Sequence, residues 1–237
     1  MLVIGLTGGI ATGKSSVSAL LAPHIPIIDA DLLARAAVAP GTRALRAITR
    51  AFGPEVLLAD GSLDRKKLGS VVFGDEAKRR TLNAIVHPAV RRAMLWAVVK
   101  CWMRGERACV LDVPLLIEGP TWKLVGEVVV VHWRLARLQA RDASTEEDAR
   151  ARINSQLPIA AKLRYADTLI PNDGTPADLQ AEVDKFVARI NREAGWFWWR
   201  LEWLVPPMGL AAAAWCLGVR ALKRWWASAP VQVKKDE

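Results

Sequence analysis

The sequence predicts an α/β fold built on a five-stranded parallel sheet with helices on both faces, and three observations carry that expectation. Short apolar runs at residues 2–6, 25–28, 108–111, 125–131 and 168–170 are separated by segments of helical periodicity, the alternation expected when parallel strands are buried on both faces. The first run leads straight into a glycine-rich turn at residues 8–15 and then into a helical pattern at Val17, Leu20 and Leu21. The stretch between the second and third runs is rich in Ala, Arg and Leu, with turn signals at Pro40-Gly41, Gly53-Pro54 and Asp60-Gly61. It is too long for a plain crossover and is expected to form a helical insertion, about 32–107, that covers a substrate.

The first element carries the chemistry. Gly8, Gly9, Ile10, Ala11, Thr12, Gly13, Lys14 and Ser15 complete the pattern G-x-x-x-x-G-K-[ST], with Ser16 following. Glycines let the backbone curl until successive N–H groups point inward at phosphate oxygens, and the helix behind adds its positive N-terminal end. Lys14 is placed to neutralise β and γ phosphates, and the Ser15 hydroxyl to hold Mg²⁺. At the end of the second run stand Asp29-Ala30-Asp31, with Arg35 four residues on. Ligands of open α/β sheets bind beyond the carboxyl ends of the strands, so these carboxylates are expected to face the γ phosphate. Asp31 has two readings: it accepts a proton from an attacking hydroxyl, or it caps a helix beginning at Leu32.

Composition bounds the rest. The chain of 237 residues carries a formal charge of +9, of which residues 191–237 contribute +3. An excess of +6 before them suits a polyanionic small ligand such as a nucleotide. A nucleic-acid-binding ATPase would want stacking aromatics in the domain, whereas most of the tryptophans here lie in the tail. Cys101, Cys109 and Cys216 form no C-x-x-C pair and sit in apolar stretches, so free thiols in a reducing compartment are expected. The first apolar run begins without a basic n-region or an Arg/Ser-rich stretch before it, so neither secretion nor import by such a signal is expected.

After Gly195 the composition changes. Seven of the eleven tryptophans fall between Trp196 and Trp226, and residues 203–219 contain no charge. Seventeen residues are at the lower limit for a bilayer span, and Pro206-Pro207 is expected to break or kink a helix near its start. Trp198, Trp199 and Arg200 flank the run on one side, and Arg220, Lys223, Arg224, Trp225 and Trp226 on the other. Such belts suit a membrane interface. Three readings stand together: a short anchor or re-entrant segment, an interfacial helix, and an apolar tail packed on the domain or a partner.

Taken together, Gly5-Leu6-Thr7-Gly8-Gly9-Ile10, Asp29-Ala30-Asp31 with Arg35, His87-Pro88, and Asp112-Val113-Pro114-Leu115-Leu116-Ile117-Glu118 resemble the dephospho-CoA kinase family. The resemblance continues through Arg137, Arg141-Asp142, residues 154–158, Ala166-Asp167 and Asn172-Asp173-Gly174, and spans about 190 residues. It implies a P-loop nucleotide kinase with a lid, transferring the ATP γ-phosphoryl group to the ribose 3′-hydroxyl of dephospho-CoA. The implied organisation is a kinase domain at 1–194 with a lid region near 134–165, a hydrophobic tail at 195–226 similar to that of fungal-type members, and a polar C-terminus at 227–237. The resemblance makes Asp31 the base and Lys14, Arg137 and Arg141 the charges on the transferred group. ATP is held by the glycine loop through Ser16 and by Asn172, and Mg²⁺ by Ser15 and Asp112. Dephospho-CoA then falls to Asp29, Arg35, His87, Pro114 and Leu115. His87 is expected just before an apolar helix, where a structural hydrogen-bonding role is an equal reading.

Arg137 and Arg141 lie one helical turn apart, as a lid or as a solvated face. The connection from the fourth strand is short, which leaves Arg134 and Arg137 both as candidates for the phosphate-facing position. The expected location is the cytoplasm, with the tail as a possible anchor to the endoplasmic reticulum or mitochondrial outer membrane. The rival reading from another class is a nucleotide-dependent membrane tether on the same fold without kinase chemistry.

Overall fold

In a computed structural model, which describes residues 1–9, 12–132, 159–193 and 206–227, the apolar runs become strands and the segments between them helices. The order is β1 (Leu2–Gly8), α1 (Lys14–Leu21), β2 (Ile27–Asp29), α2 (Ala30–Ala37), α3 (Arg43–Phe52), α4 (Arg65–Val72) and α5 (Glu76–Met103). There follow β3 (Ala108–Asp112), β4 (Glu127–His132), α6 (Ile159–Leu163), β5 (Thr168–Pro171), α7 (Pro176–Glu193) and α8 (Pro206–Ala227). The five strands pair in parallel in the order β2-β3-β1-β4-β5. The register sets Leu6 and Asp29 on either side of Asp112, so β2 and β3 end level with one another while β1 runs two residues further, to Gly8.

Both faces of the sheet are buried, which is why the strands read as continuous apolar runs. Alternate residues enter different cores. Ile4, Leu6, Val110, Val129 and Val131 pack with α1 and α7 through Val17, Leu21, Val183 and Phe186. Cys109, Leu111, Val128 and Val130 face the other way, toward Leu116, Ile117 and Val125. The segment between β2 and β3 has its own small core of Val38, Ile48, Phe52, Val56 and Leu68. Cys101 and Cys109 are buried and Cys216 is exposed, all three free. Burial pushes the Cys109 thiol up to about 12, so it acts as a small apolar side chain.

Four expectations need correction. The second strand starts at Ile27 and the fourth at Glu127, later than the apolar runs begin. Ile25 and Val125 are 6% and 0% exposed without belonging to a strand, because burial and not pairing makes a residue apolar. The helix after β2 starts at Ala30 and is capped by Asp29, whose Oδ1 accepts from the N–H groups of Asp31 at 2.8 Å and Leu32 at 3.0 Å. Asp31 is therefore not the cap. His87 and Pro88 do not precede a helix but lie inside the 28-residue α5. A proline there costs about 3 kcal/mol of helix stability, and packing of α5 against α2, α3 and α4 holds the helix together across it.

Pro206 and Pro207 open α8 and do not break it. The first helical turn has no N–H partners to lose, so proline fits there. Among the described residues no helix is long and apolar enough to cross a membrane. Prolines at one end of α8 and Arg220, Lys223 and Arg224 at the other leave its apolar stretch short of the roughly 20 residues a span needs. Cys216 brings this helix beside Gly126 at the amino-terminal edge of the sheet, where a Cβ on that glycine would lie 3.6 Å from Sγ.

Candidate active site

The glycine loop leaves β1 at Gly8 and enters α1 at Lys14. Its shape is set by close packing. The Thr12 hydroxyl donates to the Gly9 carbonyl at 2.9 Å, folding the loop on itself. Gly13 has φ of 82°, in the left-handed region that disfavours a side chain. A Cβ there would also lie 2.1 Å from Nδ2 of Asn172. That amide donates to the Thr12 carbonyl at 2.9 Å, while the Asn172 N–H donates to His132 at 2.8 Å. Asn172 thus braces the loop from the end of β5.

Lys14 pairs with Oδ1 of Asp112, which ends β3 and is 6% exposed. Ser15 and Ser16 follow on the exposed side of the first turn of α1. Across β3, Asp29 stands level with Asp112, and Asp31 and Arg35 lie exposed on α2 just beyond that edge. The sequence-derived candidates Lys14, Ser15, Asp29, Asp31 and Asp112 therefore share one edge of the sheet. Pro114 and Leu115 follow Asp112, with Leu115 exposed at 48% while Leu116 is fully buried. His87 is exposed on α5, within the helical segment. Ile10, Ala11, Arg134, Arg137 and Arg141 lie outside the described residues, as does most of the expected lid region.

Lys162 was not singled out in the sequence. It is 0% exposed, on α6, and its ammonium donates to the carbonyls of Gly8 at 3.2 Å and Pro114 at 3.3 Å. Glu118, the last residue of the Pro-Leu-Leu-Ile-Glu segment, pairs with it at 3.0 Å. The Thr7 hydroxyl donates to the same Pro114 carbonyl at 3.0 Å. A lysine among Ala161, Leu163 and Arg164 looks like an ordinary helix residue. Only the fold reveals that it is buried.

The donor set fits Mg²⁺. A hydroxyl and a carboxylate are hard oxygens, and this ion commonly takes one or two protein ligands with substrate phosphates completing the shell. Among the described residues there is no cluster of three or more His, Cys, Asp or Glu side chains to hold a metal.

Such a loop has no group to lend to covalent chemistry; it offers position and charge, which are what phosphoryl transfer requires. Fold and loop together place the chain among the P-loop kinases. A family model of dephospho-CoA kinase matches residues 2–178. A dephospho-CoA kinase of Geobacillus kaustophilus is 48% identical over 187 residues, covering 77% of this chain and 93% of the relative. One of Arabidopsis thaliana is 41% identical over 206 residues, covering 84% and 88%. Among solved structures, a Thermus thermophilus protein superposes with a TM-score of 0.66 at 31% identity, over 79% of this chain and 97% of its own. The dephospho-CoA kinase of Campylobacter jejuni superposes with a TM-score of 0.65 at 28% identity, over 81% and 98%. The chain belongs to the dephospho-CoA kinase family.

Proposed function

We propose that the chain transfers the γ-phosphoryl group of ATP to the ribose 3′-hydroxyl of dephospho-CoA, giving coenzyme A. The observation that carries this reading is the convergence of Lys14, Asp112, Asp29 and Asp31 on one sheet edge beside the glycine loop. In this mechanism the loop N–H groups and Lys14 hold the phosphates, and Asp31 takes the proton of the attacking hydroxyl. Ser15 and Asp112 would hold Mg²⁺, which would supply neutralisation of phosphate charge when bound. Lys14 then moves from Asp112 toward the phosphates. Arg137 and Arg141 add positive charge over the transferred group. The test is product identification with ATP and Mg²⁺ against dephospho-CoA, AMP, pantothenate and nucleosides. Phosphorylation of another acceptor in preference to dephospho-CoA would overturn the assignment.

The helical segment between β2 and β3 is our candidate for holding the acceptor. Asp31 and Ala34 share a face of α2 at i and i+3, and Ala34 lines a cavity of about 270 Å³ with Val38, Ile48, Leu68, Gly69 and Val72. Arg65 and Asn83 supply polar groups at its wall. An apolar cavity with a few polar groups suits the extended amide arm of dephospho-CoA. Gly69 lies within α4, and a Cβ there meets nothing within 4 Å. Gly69→Leu is therefore expected to leave α4 intact, since leucine is the better helix former, and to fill the cavity. We expect KM for dephospho-CoA to rise about tenfold, equivalent to about 1.4 kcal/mol of lost binding, with KM for ATP unchanged. An unchanged KM for dephospho-CoA would place the arm elsewhere.

For the tail we propose an interfacial role on a cytosol-facing membrane. In support, α8 exposes Leu210, Trp215 and Leu222 at 74%, 76% and 57%, more apolar surface than a helix in water normally presents. The full chain is expected to co-sediment with anionic vesicles, and a Leu210→Asp/Trp215→Asp variant to stay in the supernatant with kcat unchanged. Equal sedimentation of both would assign these side chains to packing.

A further inference from the structure

The helix carrying Lys162 lies outside the loop and outside the strand ends that supply Lys14 and Asp112, yet its ammonium reaches the roots of both. Gly8 is the first residue of the glycine loop, and Pro114 is two residues beyond Asp112. β1 and the segment after β3 are thus tied twice, by the Thr7 hydroxyl and by Lys162, on a single carbonyl of Pro114. Glu118 supplies the countercharge from the far end of the same segment.

A buried ion pair is weak evidence for a stabilising role. Desolvation offsets most of the attraction, and apolar residues of similar volume commonly serve stability as well or better. What apolar residues cannot supply is a set of directed donors that fixes two backbone carbonyls at one separation. That separation governs how the Lys14 ammonium and the Asp112 carboxylate meet, because each lies within six residues of a tied carbonyl. Misplacement of reacting groups by about 1 Å is enough to cost on the order of 100-fold in rate.

We propose that Lys162, with Glu118 as its countercharge, is a positioning residue for phosphoryl transfer: it sets the distance between the glycine loop and the Asp112 strand end without touching either substrate. The proposal rests on the reading that this loop and Asp112 carry the transfer. The loop's own shape depends on Asn172 and Thr12, so removing the lysine leaves nucleotide binding largely intact and acts on the chemical step.

The test uses the full chain and counts competent molecules by ADP titration before rates are compared. A purely structural residue changes the number of competent molecules but not kcat for each of them. In Lys162→Met/Glu118→Gln, which removes both charges and leaves neither orphaned, we expect kcat per ADP-binding site to fall about 10- to 100-fold. The Kd for ADP should stay within about threefold. Lys162→Arg keeps the charge and the donors and should recover most of the loss. If the double variant does not fold, Glu118→Gln is read in the same way, with a fall in kcat per site of about tenfold expected. Wild-type kcat per site in the double variant, or in Glu118→Gln where the double variant does not fold, overturns the proposal, as does a loss of ADP affinity as large as the loss of kcat. A wild-type chain that phosphorylates a different acceptor would defeat the proposed reaction and leave the Lys162 comparison to be made with that acceptor.

Discussion

Asp31→Asn is expected to lower kcat for phosphorylation of dephospho-CoA by about 10² to 10⁴, the usual contribution of a general base. The substitution keeps the size of the side chain and leaves α2 its cap, because that duty belongs to Asp29. Melting temperature and ATP affinity should therefore hold while turnover collapses. Asp29→Ala provides the contrast, removing the cap and costing α2 about 1 kcal/mol. Lys14→Ala should differ from both by damaging ATP affinity as well as turnover, since its ammonium, which pairs with Asp112, is the charge proposed to answer the phosphates. Steady-state kinetics with a separate nucleotide-binding measurement distinguishes the three. Near-normal turnover in Asp31→Asn would remove that carboxylate from the chemistry and return the base to another group.

The second large effect is expected at Gly13. An alanine must hold φ near 82° and place its methyl carbon 2.1 Å from Nδ2 of Asn172. The first demand alone costs about 1–3 kcal/mol, which corresponds to roughly 5- to 160-fold in nucleotide affinity if the loop escapes by deforming. Gly13→Ala should bind ATP that much more weakly, with little change in melting temperature because the loop's exit from β1 is otherwise undisturbed. Combining it with Asn172→Ala removes the collision but also the bond to Thr12. The pair should then be non-additive, losing no more than Gly13→Ala alone. Calorimetric titration with ATP decides this. Wild-type affinity in Gly13→Ala would mean the loop adopts another shape when occupied.

The fold and the loop were legible because each rests on a local pattern. Strand β1 announces itself by apolar residues and the glycines by their spacing. The register that puts Asp29, Asp112 and Leu6 side by side follows from strands ending where their apolar runs meet a polar group. What escaped were decisions made by packing at a distance. No local rule distinguishes Asp29 from Asp31 as a cap, since both are acids within two residues of the helix start. The extended backbone of Asp29 at the end of β2, with φ of −81° and ψ of 115°, makes it the cap, while Asp31 already lies in the helix. Pro88 reads as a helix boundary and is not one, because three neighbouring helices hold α5 through it. Lys162 carries no signal at all in its own segment, for its partners lie 44 to 154 residues away.

That last span has a consequence for how the molecule comes into being. β1 can pair only after β3 and β4 exist, more than 100 residues later, and the side chains that reach back to it from the late part of the chain are Lys162, at the root of the glycine loop, and Asn172, which braces the loop itself. Contacts of such sequence separation form late and slowly. A growing chain therefore carries the complete loop sequence from its fifteenth residue onward, yet its loop lacks the Asn172 brace until β5 has emerged and docked. Nucleotide binding is one of the last properties acquired during synthesis, and ATP can stabilise only chains that have already assembled their carboxyl-terminal strand.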